Sequence, residues 1–167
     1  MHIALVTEYF YPHLGGVTEH VFNLMREFTR LGNHVTVVTA NMSGRDAGAP
    51  FAPARGAPRP PGTAVLRRVG RSRVVFSNGS FARFSTGWNL GGQIERILRQ
   101  DHIDVVHVQA ALVPGLGMAA PRAAFRCGIP VVATFHSWFP QHPYYRLARR
   151  WHCCPSACRP SAPWLRP

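Results

Sequence analysis

The stretch HIALVTEYFYPHLGGVTEHVFNLMREFTRLGNHVTVVTA, residues 2–40, decides the fold of this chain. It opens with a short apolar run, His2–Thr7, that ends in turn chemistry, as a buried parallel strand does. From Val17 to Leu31 the residues Val17, Val21, Leu24, Phe28 and Leu31 recur at three- and four-residue spacing, which predicts an amphipathic helix. Gly32 and Asn33 stop it. HVTVVTA, 34–40, reads as a second strand, so strand, helix and strand follow one another and a right-handed βαβ crossover is expected.

Outward from that unit the same alternation continues. AVLRRV (64–69) and RVVFS (73–77) read as strands, Trp88–Gln100 as a helix whose start is weakened by Gly91 and Gly92, and IDVVHVQ (103–109) as a strand. Gly115–Cys127 reads as a helix and IPVVATFH (129–136) as a further strand. Elements of these lengths predict an α/β fold: an open parallel Rossmann-like sheet with helices on both faces, occupying residues 1–150. Between Ser43 and Gly62 the chain is crowded with Gly, Ala, Pro and Arg and reads as a mobile surface loop. After Arg150 the sequence becomes WHCCPSACRPSAPWLRP, without apolar periodicity. Residues 151–167 read as a disordered tail, with an aberrant reading frame as a further explanation. A zinc site from His152, Cys153, Cys154 and Cys158 is the sharper alternative, but adjacent cysteines do not match the usual ligand spacing.

Composition bounds the partners. With 167 residues, 46% hydrophobic and 16% charged, the chain is long enough for one core and too short for two comfortable domains. No apolar run reaches the ~18 residues of a membrane-spanning helix, and the N-terminus has neither a basic leader nor a small-residue cleavage site, so a cytoplasmic setting is expected. The net charge of +12 arises from nineteen Arg and no Lys against seven acids, which favours anionic partners. The absence of Lys excludes a P-loop or Schiff-base chemistry. Nucleic acid is not expected as a partner, because charge alone points to it and no basic–aromatic recognition motif accompanies it.

Ligands of open parallel sheets bind beyond the carboxyl ends of the strands. Gly15 and Gly16 fall at such a place, before a helix, where missing side chains let an anion reach free N–H groups and the positive end of the helix. On spacing alone a simple turn explains the pair equally well, and the third glycine of a dinucleotide fingerprint is missing. His136 ends the last strand at the same sheet edge, where an imidazole can hydrogen-bond a sugar hydroxyl or a departing phosphate oxygen. His107, inside VVHVQ, reads as structural.

TEYFYPHLGGVTEHVFNL, NGSFARF, VVHVQAALVPGLGMAA and PVVATFHSW together resemble the N-terminal half of family 4 glycosyltransferases of GT-B architecture, with the nearest likeness to phosphatidylinositol mannosyltransferases. The resemblance runs from Met1 to about Arg150. It implies a retaining enzyme that moves a hexose, mannose foremost, from a nucleotide sugar such as GDP-mannose or a UDP-sugar to a lipid or small-molecule acceptor. By the same resemblance Gly15 and Gly16 approach the donor diphosphate, and His136 contacts the transferred sugar near the leaving group. Tyr9, Asn78, Ser80 and Arg83 match positions that line the acceptor's polar head and phosphate. No cofactor is expected on this lobe itself, and the need for a divalent metal stays open.

The chain departs from the inositol-lipid pattern after His107, where Gln109-Ala110-Ala111 stands in place of a family HEP motif. The basic membrane-facing segment of those enzymes corresponds to the region around Trp88–Gln100, which offers Arg96 and Arg99; Arg67, Arg68, Arg71 and Arg73 are the other basic residues available to an anionic membrane. A two-lobed enzyme needs about twice this length. The expectation is therefore an N-terminal lobe with the second lobe absent, inactive unless a separately encoded C-terminal lobe completes it. A non-catalytic lobe that binds phosphate or anionic lipid is the alternative.

Overall fold

A computed structural model describes residues 1–42, 62–77 and 80–136. The expected mobile loop at 43–62 falls outside these residues apart from Gly62, and the expected tail at 151–167 falls outside them entirely. Met1–His136 forms one compact unit.

The opening stretch folds as its periodicity requires. Strand β1 (His2–Val6) leads into helix α1 (Gly16–Arg30), and strand β2 (His34–Ala40) pairs parallel to β1. Gly32 terminates α1 with φ +82°, a left-handed conformation that lets its N–H reach Thr29 O and lets Asn33 N–H reach Phe28 O. β3 (Ala64–Val69) adds parallel to β2. β4 (Arg71–Ser77) and β5 (Ser80–Thr86) then form a separate antiparallel pair. Helix α2 (Leu90–Gln100), β6 (Val105–Gln109), α3 (Leu116–Arg126) and β7 (Val131–Thr134) complete the order.

The main sheet is five-stranded, parallel throughout, in the order β3-β2-β1-β6-β7. Its faces follow from strand alternation. Ile3, Leu5, Val35 and Val37 point to one side, where Phe10 and the α1 residues Val21 and Met25 cover them. Ala4, Val6, Val38, Val106 and Val108 point to the other, beneath Ile94 and Leu98 of α2 and Leu116, Ala120, Ala123 and Ala124 of α3. Each fully buried branched side chain contributes roughly 1.5–3 kcal/mol, and the run of alanines on α3 lets that helix approach closely. This is the expected α/β class: a parallel Rossmann-like sheet with helices on both faces.

One element goes beyond the strands expected from the sequence: β5, whose SFARFST lacks strict alternation and is a strand by its antiparallel pairing with β4. Asn89 is a second refinement: it adopts a left-handed conformation (φ 52°) and its side chain accepts from Gly92 N, so α2 starts two residues later than Trp88 and Gly92 serves the cap.

The strand order also locates the crevice. Chain order reverses between β1 and β6, so the carboxyl ends of these two strands flank the topological switch point, where open α/β sheets bind ligands.

Candidate functional site at the sheet switch point

The chain leaves β1 toward this edge and returns into α1 through Gly15 and Gly16. Gly15 is extended (φ 167°, ψ 166°), a conformation open to any residue, and a Cβ on Gly16 would meet nothing within 4 Å. Neither backbone conformation nor packing within the lobe demands glycine here. No side chain caps α1 at Gly15. Thr18, fully buried, instead anchors the incoming loop by donating to His13 O at 2.8 Å.

His20, one turn further along α1, meets the His136 ring edge-on with centroids 5.2 Å apart. His136 follows the end of β7, and its Nε2 lies 2.7 Å from Oε1 of Gln109, the last residue of β6. Gln109 Nε2 lies 3.2 Å from His107 Nε2, and the Thr134 hydroxyl is 2.8 Å from that same nitrogen. His20 of α1 and the ends of β6 and β7 therefore converge on one polar cluster. Burial and the neighbouring His20 hold the His136 pKa below the ordinary histidine value. Burial, then His20 and His136, do the same for His107. His107, read as structural, thus belongs to the same network as His136.

A second cluster lies under the β4–β5 pair. The Tyr9 hydroxyl accepts from the Arg83 backbone N–H at 2.9 Å, the Tyr9 ring sits 5.5 Å from that of His13, and the Arg83 guanidinium reaches Ser72 Oγ at 3.4 Å. Burial and the Arg83 charge lower the His13 pKa. Tyr9 and Arg83 are thereby brought together across 74 residues of sequence. Ser80 pairs with Ser77 through the backbone of β5. Its side chain, and Asn78, lie outside the described residues.

Sequence reasoning missed Glu8. This carboxylate is 3% exposed, accepts from Leu116 N at 2.6 Å at the start of α3, and also accepts from the Ser85 hydroxyl of β5. Burial pushes its pKa up to about 7, against the lowering effect of the bonds from Ser85, Leu116 and Gly117. Gly115 belongs to this joint: its φ is +100°, and a Cβ would sit 2.5 Å from Glu8 Oε1 and 2.7 Å from Ser85 O. Nothing in the linear pattern around Glu8 signals a carboxylate that bridges β1, β5 and α3.

The basic residues divide in a way the sequence did not show. Arg67 grips Asp101 with two bonds of 2.8 and 3.2 Å. Arg68 donates to Ala40 O and Tyr11 O, and Arg99 pairs with Glu95. Arg67 and Arg99 are thus exposed but paired with carboxylates of the lobe, and Arg68 is turned to backbone acceptors within it. On β4, Arg71 and Arg73 instead accompany the exposed Val74 and Phe76, the latter 65% exposed, and Trp88 beyond β5 is 93% exposed. Among the described residues no helix is long and apolar enough to cross a membrane, and no group of three or more His, Cys, Asp or Glu side chains is arranged to hold a metal ion.

A parallel α/β lobe with a polar cluster at its switch point and a glycine pair leading into the adjacent helix defines a Rossmann-like module with a candidate site at that sheet edge. The Glycosyltransferase Family 4 model matches residues 14–159, and the chain belongs to that family. It is 28% identical over 152 residues to a phosphatidyl-myo-inositol mannosyltransferase of Propionibacterium freudenreichii, covering 90% of this chain and 36% of that protein. To proteins of the same description from Mycobacterium leprae and Mycolicibacterium smegmatis it is 30% and 29% identical over 137 residues, 82% of this chain and 32% and 31% of theirs. The chain thus spans about a third of the length of the curated relatives it matches. Among solved structures a precorrin-6A reductase aligns with a TM-score of 0.44 and 19% identity over 84% of this chain and 41% of that one, a distant likeness that adds nothing to the topology above.

Proposed function

We propose that this lobe forms the acceptor side of a retaining hexosyltransferase and supplies part of its donor diphosphate site. The observation that carries the reading is the open Gly15–Gly16 turn at the start of α1, joined through His20 to His136 and Gln109 at the switch point. Cleavage of a sugar–phosphate bond builds negative charge on the departing diphosphate. The uncapped N–H groups of the first helical turn are preorganised donors for that charge and cost no reorganisation when it appears. His136 is in ring contact with His20 of the same helix, suited to contact the transferred sugar.

Tyr9 and Arg83 are proposed to bind the acceptor's polar head, with Asn78 and Ser80 alongside. An arginine meets a phosphate oxygen pair in bidentate fashion, and the Tyr9 bond to the Arg83 backbone fixes where that guanidinium begins. The relatives' name makes an inositol phospholipid the first acceptor to try and mannose the first sugar. An anionic membrane would be met by Arg71 and Arg73 with Val74, Phe76 and Trp88, where basic and apolar groups are exposed together.

Calorimetric titration with GDP-mannose and with UDP-glucose tests the donor site, with Gly16→Trp as the control. Because a Cβ at Gly16 meets open space, the indole blocks the approach to α1 without disturbing the core. Saturable heat that disappears in the variant supports the reading. Donor heats that are the same in both proteins would sink the diphosphate assignment. No donor binding together with binding to anionic lipid vesicles would identify a non-catalytic, lipid-binding lobe.

A further inference from the structure

Gln109 has a side chain only 1% exposed, wedged between two histidines. An amide nitrogen carries hydrogens and no acceptor lone pair, so it donates; an amide oxygen only accepts. His107 Nε2, which faces Gln109 Nε2, is therefore the unprotonated nitrogen of its ring, and a neutral His107 carries its hydrogen on Nδ1. The Thr134 hydroxyl, close to the same Nε2, donates to it as well. At the other end, His136 Nε2 must carry a hydrogen to meet Gln109 Oε1.

We infer that Gln109 is a positioning residue that fixes opposite tautomers in His107 and His136, leaving His136 Nδ1 as a hydrogen-bond acceptor for a hydroxyl of the ligand. Turning the amide by half a turn would place Oε1 against His107 and require a hydrogen on His107 Nε2, while making His136 Nε2 an acceptor. The two rings cannot change separately, since one buried amide serves both. Burial and the proximity of His20 hold His136 in its neutral form, and burial with both His20 and His136 does so for His107. A ring held this way does not donate to a departing phosphate oxygen through Nδ1. It accepts, and a sugar hydroxyl is the group that donates to it. The hydroxyl assignment rests on the transferase reading above; the ring assignment does not.

The test is a two-bond proton–nitrogen correlation spectrum of the chain labelled with ¹⁵N-histidine, at pH 7.5. The expected result is His107 protonated on Nδ1, the form an unconstrained imidazole disfavours, with His136 protonated on Nε2. In Gln109→Met, His107 should return to the Nε2-protonated form, donating to Thr134, and the His136 ring hydrogen should exchange with solvent roughly tenfold faster or more. Gln109→Glu gives an independent answer: a carboxylate only accepts, so His107 must shift its hydrogen to Nε2 while His136 keeps its own. Wild-type protein with His107 protonated on Nε2 or His136 on Nδ1 overturns the inference, as does an unchanged His107 in both variants. Titration of the same samples with GDP-mannose separates the two proposals. Expected tautomers without donor binding would overturn the hydroxyl assignment together with the transferase reading, and leave the ring assignment standing.

Discussion

Two helices start at the same edge of the sheet, each behind a glycine, and the chain treats them in opposite ways. At α3 the chain supplies its own acceptor: Glu8 accepts the Leu116 N–H, and Gly115 is held at φ +100° with no room for a Cβ. At α1 no side chain caps the helix, Gly15 is in an ordinary extended conformation, and Gly16 faces open space. One glycine is required by the fold. The other pair is required by nothing inside it, which is the physical reason to look for a ligand there. The α3 joint also demonstrates within the same molecule that a helix start at this edge accepts a carboxylate oxygen.

The sharpest way to break the comparison is to remove the internal acceptor. Glu8→Ala leaves buried N–H and hydroxyl donors without an acceptor, and should lower stability by about 3 kcal/mol in urea unfolding. A loss below about 1 kcal/mol would show that the joint does not hold the lobe together. Its pH dependence has a definite sign. Because burial raises Glu8 to about 7 in the folded lobe, above the ordinary glutamate value of about 4.5, the folded state binds its proton more tightly than the unfolded chain. The stabilisation is complete below about pH 4.5 and is lost as pH rises through about 7, a change of a few kcal/mol. The difference in stability between wild type and Glu8→Gln should follow that curve. A flat difference would mean that the Glu8 pKa is the same in the folded and unfolded chain.

The same methyl group should act in opposite directions at the two glycines. Gly115→Ala is expected to cost about 2 kcal/mol, from positive φ and the collision with Glu8. Tyr9→Phe removes one hydrogen bond to the Arg83 backbone and should cost about 1 kcal/mol in stability, with a larger effect on any acceptor affinity that depends on where Arg83 lies. Gly16→Ala should instead stabilise by about 0.5 kcal/mol, because glycine in a helix is entropically unfavourable and the added carbon meets nothing. Equal losses at Gly16 and Gly115, read from thermal unfolding midpoints, would erase the distinction between a structural and a ligand-facing glycine.

Much of this was legible in the linear sequence. Among the described residues, the alternation of apolar runs with three- and four-residue spacing located the five strands of the main sheet and the three helices, since both periodicities report which face meets the core. The Asn-Gly between VVFS and SFARF carries a strong hairpin signal, yet β5 was absorbed into a motif and missed. The glycine pair, His136, Tyr9 and Arg83 were singled out by position and resemblance; the contacts that join them in two clusters, through His20, Gln109 and the Arg83 backbone, span from 27 to 116 positions and have no local signature.

The sequence by itself determined the class of fold, the family and the sheet edge at which a ligand is to be sought, because hydrophobic period and short motifs are local properties. Only the tertiary structure decided which polar residues are engaged. It turned Arg67 and Arg68 to partners within the lobe, buried Glu8 against α3 and set Gln109 between two histidines. Burial and hydrogen bonding depend on what the rest of the chain brings alongside, and those neighbours are chosen by packing, not by adjacency.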